Sequence, residues 1–202
     1  MSRFISRLHA FIYEPLLYRR RLNALVEAIA PRLPHSGTVL DLGSGSGRLV
    51  AAISERRPGL IWSGVDVTRH PDCSFPVALY DGRTLPLDAG SVDWVTAIDV
   101  LHHADNPVAL LAECVRVARQ GVVLKDHTAN SRLGFGVLSA LDWAGNRAYG
   151  VATPFNFMSA AQWWETFRRL DLYVDDYVDR LGIYPWPIRL PFPDLHFIVT
   201  LR

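Results

Sequence analysis

Cysteine is scarce, with two residues in 202, Cys73 and Cys114. That excludes a disulfide framework. Neither thiol has a partner at metal-ligand spacing, so both read as small buried hydrophobes in a reducing compartment. No uncharged apolar run approaches the roughly 18 to 20 residues that cross a bilayer. The N-terminus has neither the apolar core nor the cleavage site of a secretory signal, and these absences together predict a cytoplasmic protein. Excess charge is missing as well. A formal net charge of +1 gives no whole-chain case for nucleic acid, and none is expected as a partner. Repeats and low-complexity tracts are absent. What is present is 50% apolar and 20% charged residues, an ordinary globular composition at a length that suits one domain.

The most informative stretch is Thr38 to Val50, TVLDLGSGSGRLV. A β-branched, apolar run (Thr38, Val39, Leu40) leads into Asp41. Glycine then recurs at every second position, Gly43, Gly45 and Gly47, with Ser44 and Ser46 between. A helix-like stretch, Leu49 to Ile53, follows at once. This reads as strand, tight turn, helix. Glycine lets the backbone take positive φ and lets a ligand approach, and the helix start offers unpaired N–H groups. The dinucleotide fingerprint G-x-G-x-x-G fails here, because its third glycine position is Arg48. The glycines spell D-x-G-x-G-x-G instead.

Further along, Leu60 to Val67 reads as a buried strand ending at Asp66 and Val67. An acid there can accept from both ribose hydroxyls of a nucleoside, or it can cap the next turn. Thr68 to Pro76 is too short for a full crossover helix. Val77 to Tyr80 gives a third strand before Asp81-Gly82, which is either an acceptor for an adenine amino group or a plain turn. Leu85 to Asp99, LPLDAGSVDWVTAID, is a loop followed by the strand Val92 to Ile98, and it continues into Val100-Leu101-His102-His103. Asp105 is placed to cap a helix reaching Ala118, with Pro107 in its first turn and Gly121 ending it. Val122 to Lys125 is the fifth strand, running out to Asp126 and His127.

In order and spacing, these motifs resemble those of class I S-adenosylmethionine-dependent methyltransferases (methyltransferase type 11-like) over about residues 38 to 126. The resemblance implies an α/β, Rossmann-like, doubly wound sheet of seven mostly parallel strands, the last antiparallel. It implies S-adenosyl-L-methionine as cofactor. Asp41 and Gly43 to Gly47, Ser44 included, would hold its methionine end, Asp66 with Val67 its ribose, and Asp81-Gly82 its adenine. Ile98 and Asp99 would line its inner side.

The flanks read less sharply. Met1 to Ala30 is helix broken by Pro15, with apolar faces and Arg3, Arg7, Arg19, Arg20 and Arg21. Three readings stand: a lid over the cofactor, a helix packed on the sheet, and a basic helix in peripheral contact with a membrane. Thr128 to Met158 departs from the minimal pattern with a helix near Leu133 to Trp143 and an aromatic loop. It is either a substrate cap or a surface elaboration that buries its own aromatics. Ser159 and Gln162 spell a capping box for a helix to Leu170. Tyr173 to Val178 and His196 to Leu201 are the last two strands, with a proline-rich excursion, Tyr184 to Pro193, between them.

Methyl transfer from a sulfonium needs alignment and exclusion of water more than a fixed triad. His127 is the first candidate for a base and His103 the second, with His102 beside them. Asp142, Asn146 and Tyr149 are candidates to orient the acceptor. A small, apolar, aromatic or lipid-like acceptor fits the aromatic cap and the basic N-terminus. Ile98-Asp99-Val100-Leu101 stands where amide-methylating relatives carry N-P-P-Y, which suits a small-molecule acceptor. No metal is expected, and nothing in the sequence sets an oligomeric state. Two other classes compete: a nicotinamide-dependent oxidoreductase, disfavoured by Arg48, and a non-catalytic binder of the cofactor or a lipid.

Overall fold

A computed structural model describes residues 19–70, 73–146, 153–183 and 195–202. Seven strands form one sheet: β1 (Ser36–Leu42), β2 (Gly59–Asp66), β3 (Val77–Leu79), β4 (Val92–Ile98), β5 (Ala118–His127), β6 (Val174–Val178) and β7 (His196–Leu201). Their spatial order is β3-β2-β1-β4-β5-β7-β6. All pairings are parallel except those of β7, which runs antiparallel to β5 and β6. The chain leaves β1 toward β2 on one side and returns to β4 on the other. That reversal opens a crevice at the carboxyl ends of β1 and β4, where open α/β sheets take their ligands.

Among the described residues, five helices flank the sheet: α1 (Arg19–Ile29), α2 (Arg48–Arg56), α3 (Pro107–Val117), α4 (Arg132–Asn146) and α5 (Ala160–Arg169). On one face Leu25, Val26 and Ile29 of α1 and Ile53 of α2 pack with Val39, Val123 and Ile198. On the other, Leu110, Leu111, Cys114 and Val117 of α3 pack with Trp163 and Phe167 of α5 over Leu40, Leu124 and Val199. Strands buried on both faces explain why their sequences read as continuous apolar runs. Cys114 is buried as expected, whereas Cys73 is half-buried.

Local chemistry sets the boundaries. Ser159 and Gln162 close the expected capping box on α5: the Ser159 N–H donates to Gln162 Oε1 at 2.8 Å, and the Gln162 N–H donates to Ser159 Oγ at 3.3 Å. Two expectations are corrected. Asn106, not Asp105, caps α3, accepting from the Ala109 N–H at 3.1 Å. Pro107 fixes the first helical position one residue later, and Asp105 turns to Arg83 at 3.0 Å. Gly121 does not end α3. The helix stops at Val117 and β5 begins at once, with Gly121 inside the strand, opposite Trp94. A Cβ at Gly121 would lie 2.6 Å from the Leu201 carbonyl and 2.9 Å from the Trp94 ring, so the site requires close strand packing. No helix separates β2 from β3 among the described residues, as the short connection predicts.

Candidate active site

The turn after β1 bends through Gly43, Gly45 and Gly47, all at positive φ. Gly47 shows why: its φ is +72°, and an added Cβ would sit 2.8 Å from both the Cys73 thiol and the Phe75 ring. The Gly43 N–H donates to the Val65 carbonyl at 2.8 Å, tying the turn to the end of β2. Gly47 is the residue before α2 and gives that helix no side-chain cap. A cavity of about 180 Å³ opens there, lined by Asp41, Gly43, Ser44, Gly45, Ser46, Arg48, Leu49 and Ile98 and roofed by Arg21, Leu22 and Leu25 of α1. Small-molecule pockets more often span about 300 to 1,000 Å³, so the enclosed space suits one end of a nucleoside-sized ligand. Thus α1 both packs on the sheet and overhangs the turn. Residues 1–18, which carry Arg3, Arg7 and the Pro15 break, lie outside the described residues, and with them part of the basic set behind the membrane-contact reading.

Asp41 lies at the floor of the cavity. It is buried, and burial pushes its carboxyl up to about 7, against the hydrogen bond that Thr96 Oγ1 donates to its Oδ1 at 2.6 Å. Ser44 Oγ donates to the Asp41 carbonyl at 2.8 Å. Asp66, at the end of β2, holds the turn from behind. Its Oδ2 accepts from the Gly45 N–H at 2.8 Å, and its Oδ1 accepts from the Thr68 N–H at 2.9 Å. Val67 is exposed next to it and faces Gly82, where a Cβ would come within 3.3 Å of the valine side chain. Asp81 folds into its own turn, with Oδ1 accepting from the Arg83 and Thr84 N–H groups at 2.8 Å each. Those bonds hold its carboxyl below the usual range.

Beyond β4 and β5 lies a dense ionic cluster. Asp99 has φ +54°. Its side chain does not line the cavity but pairs with Arg21 of α1 and with Lys125. Burial alone would raise the Asp99 carboxyl, yet Lys125 and Arg21 hold it well below the carboxylate range. Lys125 is fully buried, which pushes its ammonium down, and it donates to His196 Nδ1 at 2.9 Å. On the opposite face of β5, buried Asp126 meets His102 Nδ1 at 2.6 Å and accepts from the Leu101 N–H at 3.0 Å. Burial works against a charged His102, but Asp126 prevails and raises it to about 10. His127 Nδ1 stands 3.4 Å from Asp126 Oδ1, 3.4 Å from His102 Nδ1 and 3.6 Å from Asp99 Oδ1. Burial, with Lys125 beside it, takes His127 down to about 4, so the ring is neutral near pH 7. Asp142 on α4 places Oδ1 3.5 Å from both His102 Nε2 and His103 Nε2.

The sequence-predicted residues therefore fall into two groups. Asp41, Gly43, Ser44, Gly45 and Ile98 line the cavity, with Gly47 at the foot of α2 and Asp66 tied to the turn through the Gly45 N–H, while Val67 lies against Gly82, next to Asp81. Asp99, His102, His103, His127 and Asp142 gather at the ionic cluster. Asn146 ends α4, and Tyr149 lies outside the described residues. In the expected cap, Leu138 and Phe157 pack with Leu195, so part of its aromatic content is internal, while Leu133, Leu141 and Trp143 are exposed. Sequence reasoning passes over Arg21, Lys125 and His196 as site residues. The signal for Lys125 is present: three ionisable residues, Lys125, Asp126 and His127, end an apolar strand, and alternation sends them to both faces.

Comparison with known proteins agrees with this geometry. The family described as "Methyltransferase domain" matches residues 40–124. A curated relative from Mycobacterium sp. strain JLS, named an uncharacterized methyltransferase, is 33% identical over 128 residues, covering 60% of this chain and 45% of that protein. The chain thus spans about half the length of the curated relatives it matches. Two solved structures share the fold. An S-adenosylmethionine-dependent methyltransferase from Mesorhizobium loti aligns with TM-score 0.66 and 16% identity over 89% of this chain and 97% of its own. The YcgJ protein from Bacillus subtilis aligns with TM-score 0.61 and 17% identity over 91% and 95%. Sheet order, glycine turn, family match and fold neighbours converge: residues 40–124 are similar to the methyltransferase domain, and the sheet has the fold of solved S-adenosylmethionine-dependent methyltransferases.

Proposed function

We propose that the protein transfers the methyl group of S-adenosyl-L-methionine to a small, apolar acceptor by in-line displacement. The observation that carries this reading is the cavity between the glycine turn and α1, floored by Asp41 at the switch point of the sheet. Its lining suits the two ends of an amino acid: N–H groups at the start of α2 for a carboxylate, and the Asp41 carboxylate for an ammonium. In this reading Asp66 and Val67 take the ribose, Asp81 and Gly82 the adenine edge, and Ile98 the inner side of the ligand. The sulfonium carries both electrophile and leaving group, so the chain's task is to align the acceptor and keep water out. His127, neutral at the end of β5, stands ready to take a proton from the acceptor, with His103 as second choice. Asp142, Asn146 and Tyr149 lie on the segment proposed to cover the acceptor.

Calorimetric titration with S-adenosylmethionine and its demethylated product, on wild type and Asp66→Ala, tests the cofactor half. Micromolar binding is expected, weakened in the variant by roughly 1 to 3 kcal/mol for a lost polar contact. A folded, ligand-free protein that binds neither compound would overturn the reading. A screen of apolar acceptors that follows cofactor consumption tests the other half. Cofactor binding with no turnover against any acceptor would favour a non-catalytic binder that keeps the fold.

A further inference from the structure

Beside His127, the second cluster holds a group of donors that proton transfer from an acceptor does not use. His102 and His103 are consecutive in a 3-10 turn (Leu101–His103), with ring centroids 4.2 Å apart, and both direct Nε2 at one oxygen of Asp142. His102 is 1% exposed, and its Nε2 finds no hydrogen-bond partner among the described residues. The 3.5 Å to Asp142 Oδ1 is too long for a hydrogen bond, which prefers about 2.7 to 3.2 Å. It is the separation of two donors bound to one ion. Ligand atoms about 2.0 to 2.2 Å from a tetrahedral cation lie about 3.3 to 3.6 Å from each other. All three donors lie within 4.8 Å of one another.

We propose that His102 Nε2, His103 Nε2 and Asp142 Oδ1 bind one divalent transition-metal ion, with Asp126 holding His102 from behind. Metal-binding histidines typically give their other ring nitrogen to a carboxylate, which fixes the ring and strengthens the donor. His102 Nδ1 does this with Asp126 at 2.6 Å, and Asp126 is itself pinned by the Leu101 N–H at 3.0 Å; the ion takes the place of the Nε2 proton, which is released on binding. Two histidines and one carboxylate are a ligand set for zinc or for non-haem iron and its neighbours, with coordination positions left open. Phe157 stacks on His102 at 5.1 Å and keeps one side dry, while the His103 side chain retains 18% exposure, an edge by which an ion can enter. The neighbouring set of Asp99, His127 and His196 is a poorer host, because Lys125 and Arg21 already neutralise Asp99. The assignment does not depend on the cofactor reading. With His103 bound to an ion, the base is His127.

The test is titration of the chelator-stripped full chain with Co²⁺ alone, followed by its visible d–d absorption and by calorimetry. One equivalent is expected to bind. Asp142→Asn, which keeps the side-chain shape, and His103→Gln should each weaken binding about tenfold or more. Asp126→Asn should weaken it by about 10- to 100-fold without removing a ligand. His196→Gln should leave binding in place. Circular dichroism establishes that each variant is folded. A folded wild type that takes up no Co²⁺ overturns the proposal. So does uptake undiminished in both Asp142→Asn and His103→Gln, and so does loss confined to His196→Gln, which would place the ion at the neighbouring set.

Discussion

Asp41 is buried where its charge is costly, and the residue scale shows the consequence. Its carboxyl rises to about 7 in the folded chain from an ordinary value of 3.8, and burial is the main cause. A raised acid binds a proton in the native state that the unfolded state has already lost. Its contribution to stability is therefore fully present below about pH 4, falls as pH rises, and is gone above about 7. Asp41→Asn removes the titration while keeping an acceptor for Thr96. We expect the variant to gain on wild type between pH 5 and 7, by about 2 to 4 kcal/mol at the plateau, given roughly 1.4 kcal/mol for each tenfold change in proton affinity. Urea unfolding of both proteins across that range measures it, and parallel curves would show that Asp41 does not titrate there. The same variant should lose affinity for S-adenosylmethionine, because an amide cannot balance an ammonium. Gly47→Ala is a second test at this scale. A methyl group at φ +72°, 2.8 Å from Cys73 and Phe75, should cost about 1 to 3 kcal/mol, read from the urea midpoint. Much of this site is legible in the sequence, because its signals are local: glycines at alternate positions, and an acid closing a strand. Lys125 and His196 are not, because their partners lie 26 and 71 residues away in sequence, and only the sheet brings them together.

Elements obey the same division. β4 is legible to its last residue at both ends, and α5 with both members of its capping box, because period and cap chemistry act within a few residues. Ser159→Ala tests that directly: losing the cap should lower stability by about 0.5 to 2 kcal/mol in denaturant unfolding. An unchanged midpoint would mean that packing of Trp163 and Phe167 alone holds the helix. Gly121 misleads because a helix-ending glycine and a strand glycine look alike in sequence. Only the Trp94 ring and the Leu201 carbonyl against it distinguish them. Asp105 misleads for a subtler reason. Two adjacent residues, Asp105 and Asn106, can each cap, and Pro107 chooses between them by fixing where the helix starts. The insertion after β5 keeps its two readings. The structure supports internal packing for Phe157 and Leu138, while Phe135 and Trp143 are exposed.

At the scale of the whole molecule, α1 links the two halves of the site. Its apolar face, Leu25, Val26 and Ile29, belongs to the core. Arg21, one turn earlier, roofs the cavity and pairs with Asp99 at the end of β4. The helix is thus anchored at one end by burial and at the other by an ion pair to Asp99, which keeps Lys125 as a second partner when Arg21 is lost. Removing each anchor should have a different result. Leu25→Ala deletes a side chain that is 3% exposed and should cost about 2 to 5 kcal/mol of stability. Arg21→Ala should leave the unfolding midpoint nearly unchanged, yet free the first turn of α1 from the cluster. If the helix is the roof over bound cofactor, residues 19–22 of wild type should gain amide-exchange protection on adding S-adenosylmethionine. Arg21→Ala should lose most of that gain and release the ligand several-fold faster in stopped flow. Exchange in α1 that ignores the ligand in both proteins would make the helix a packing element only. It would also move the entrance of the site to the side of Val67 and Gly82. Because the core contacts of α1 and its cluster contact sit one turn apart on a single helix, opening the roof need not loosen the sheet beneath it.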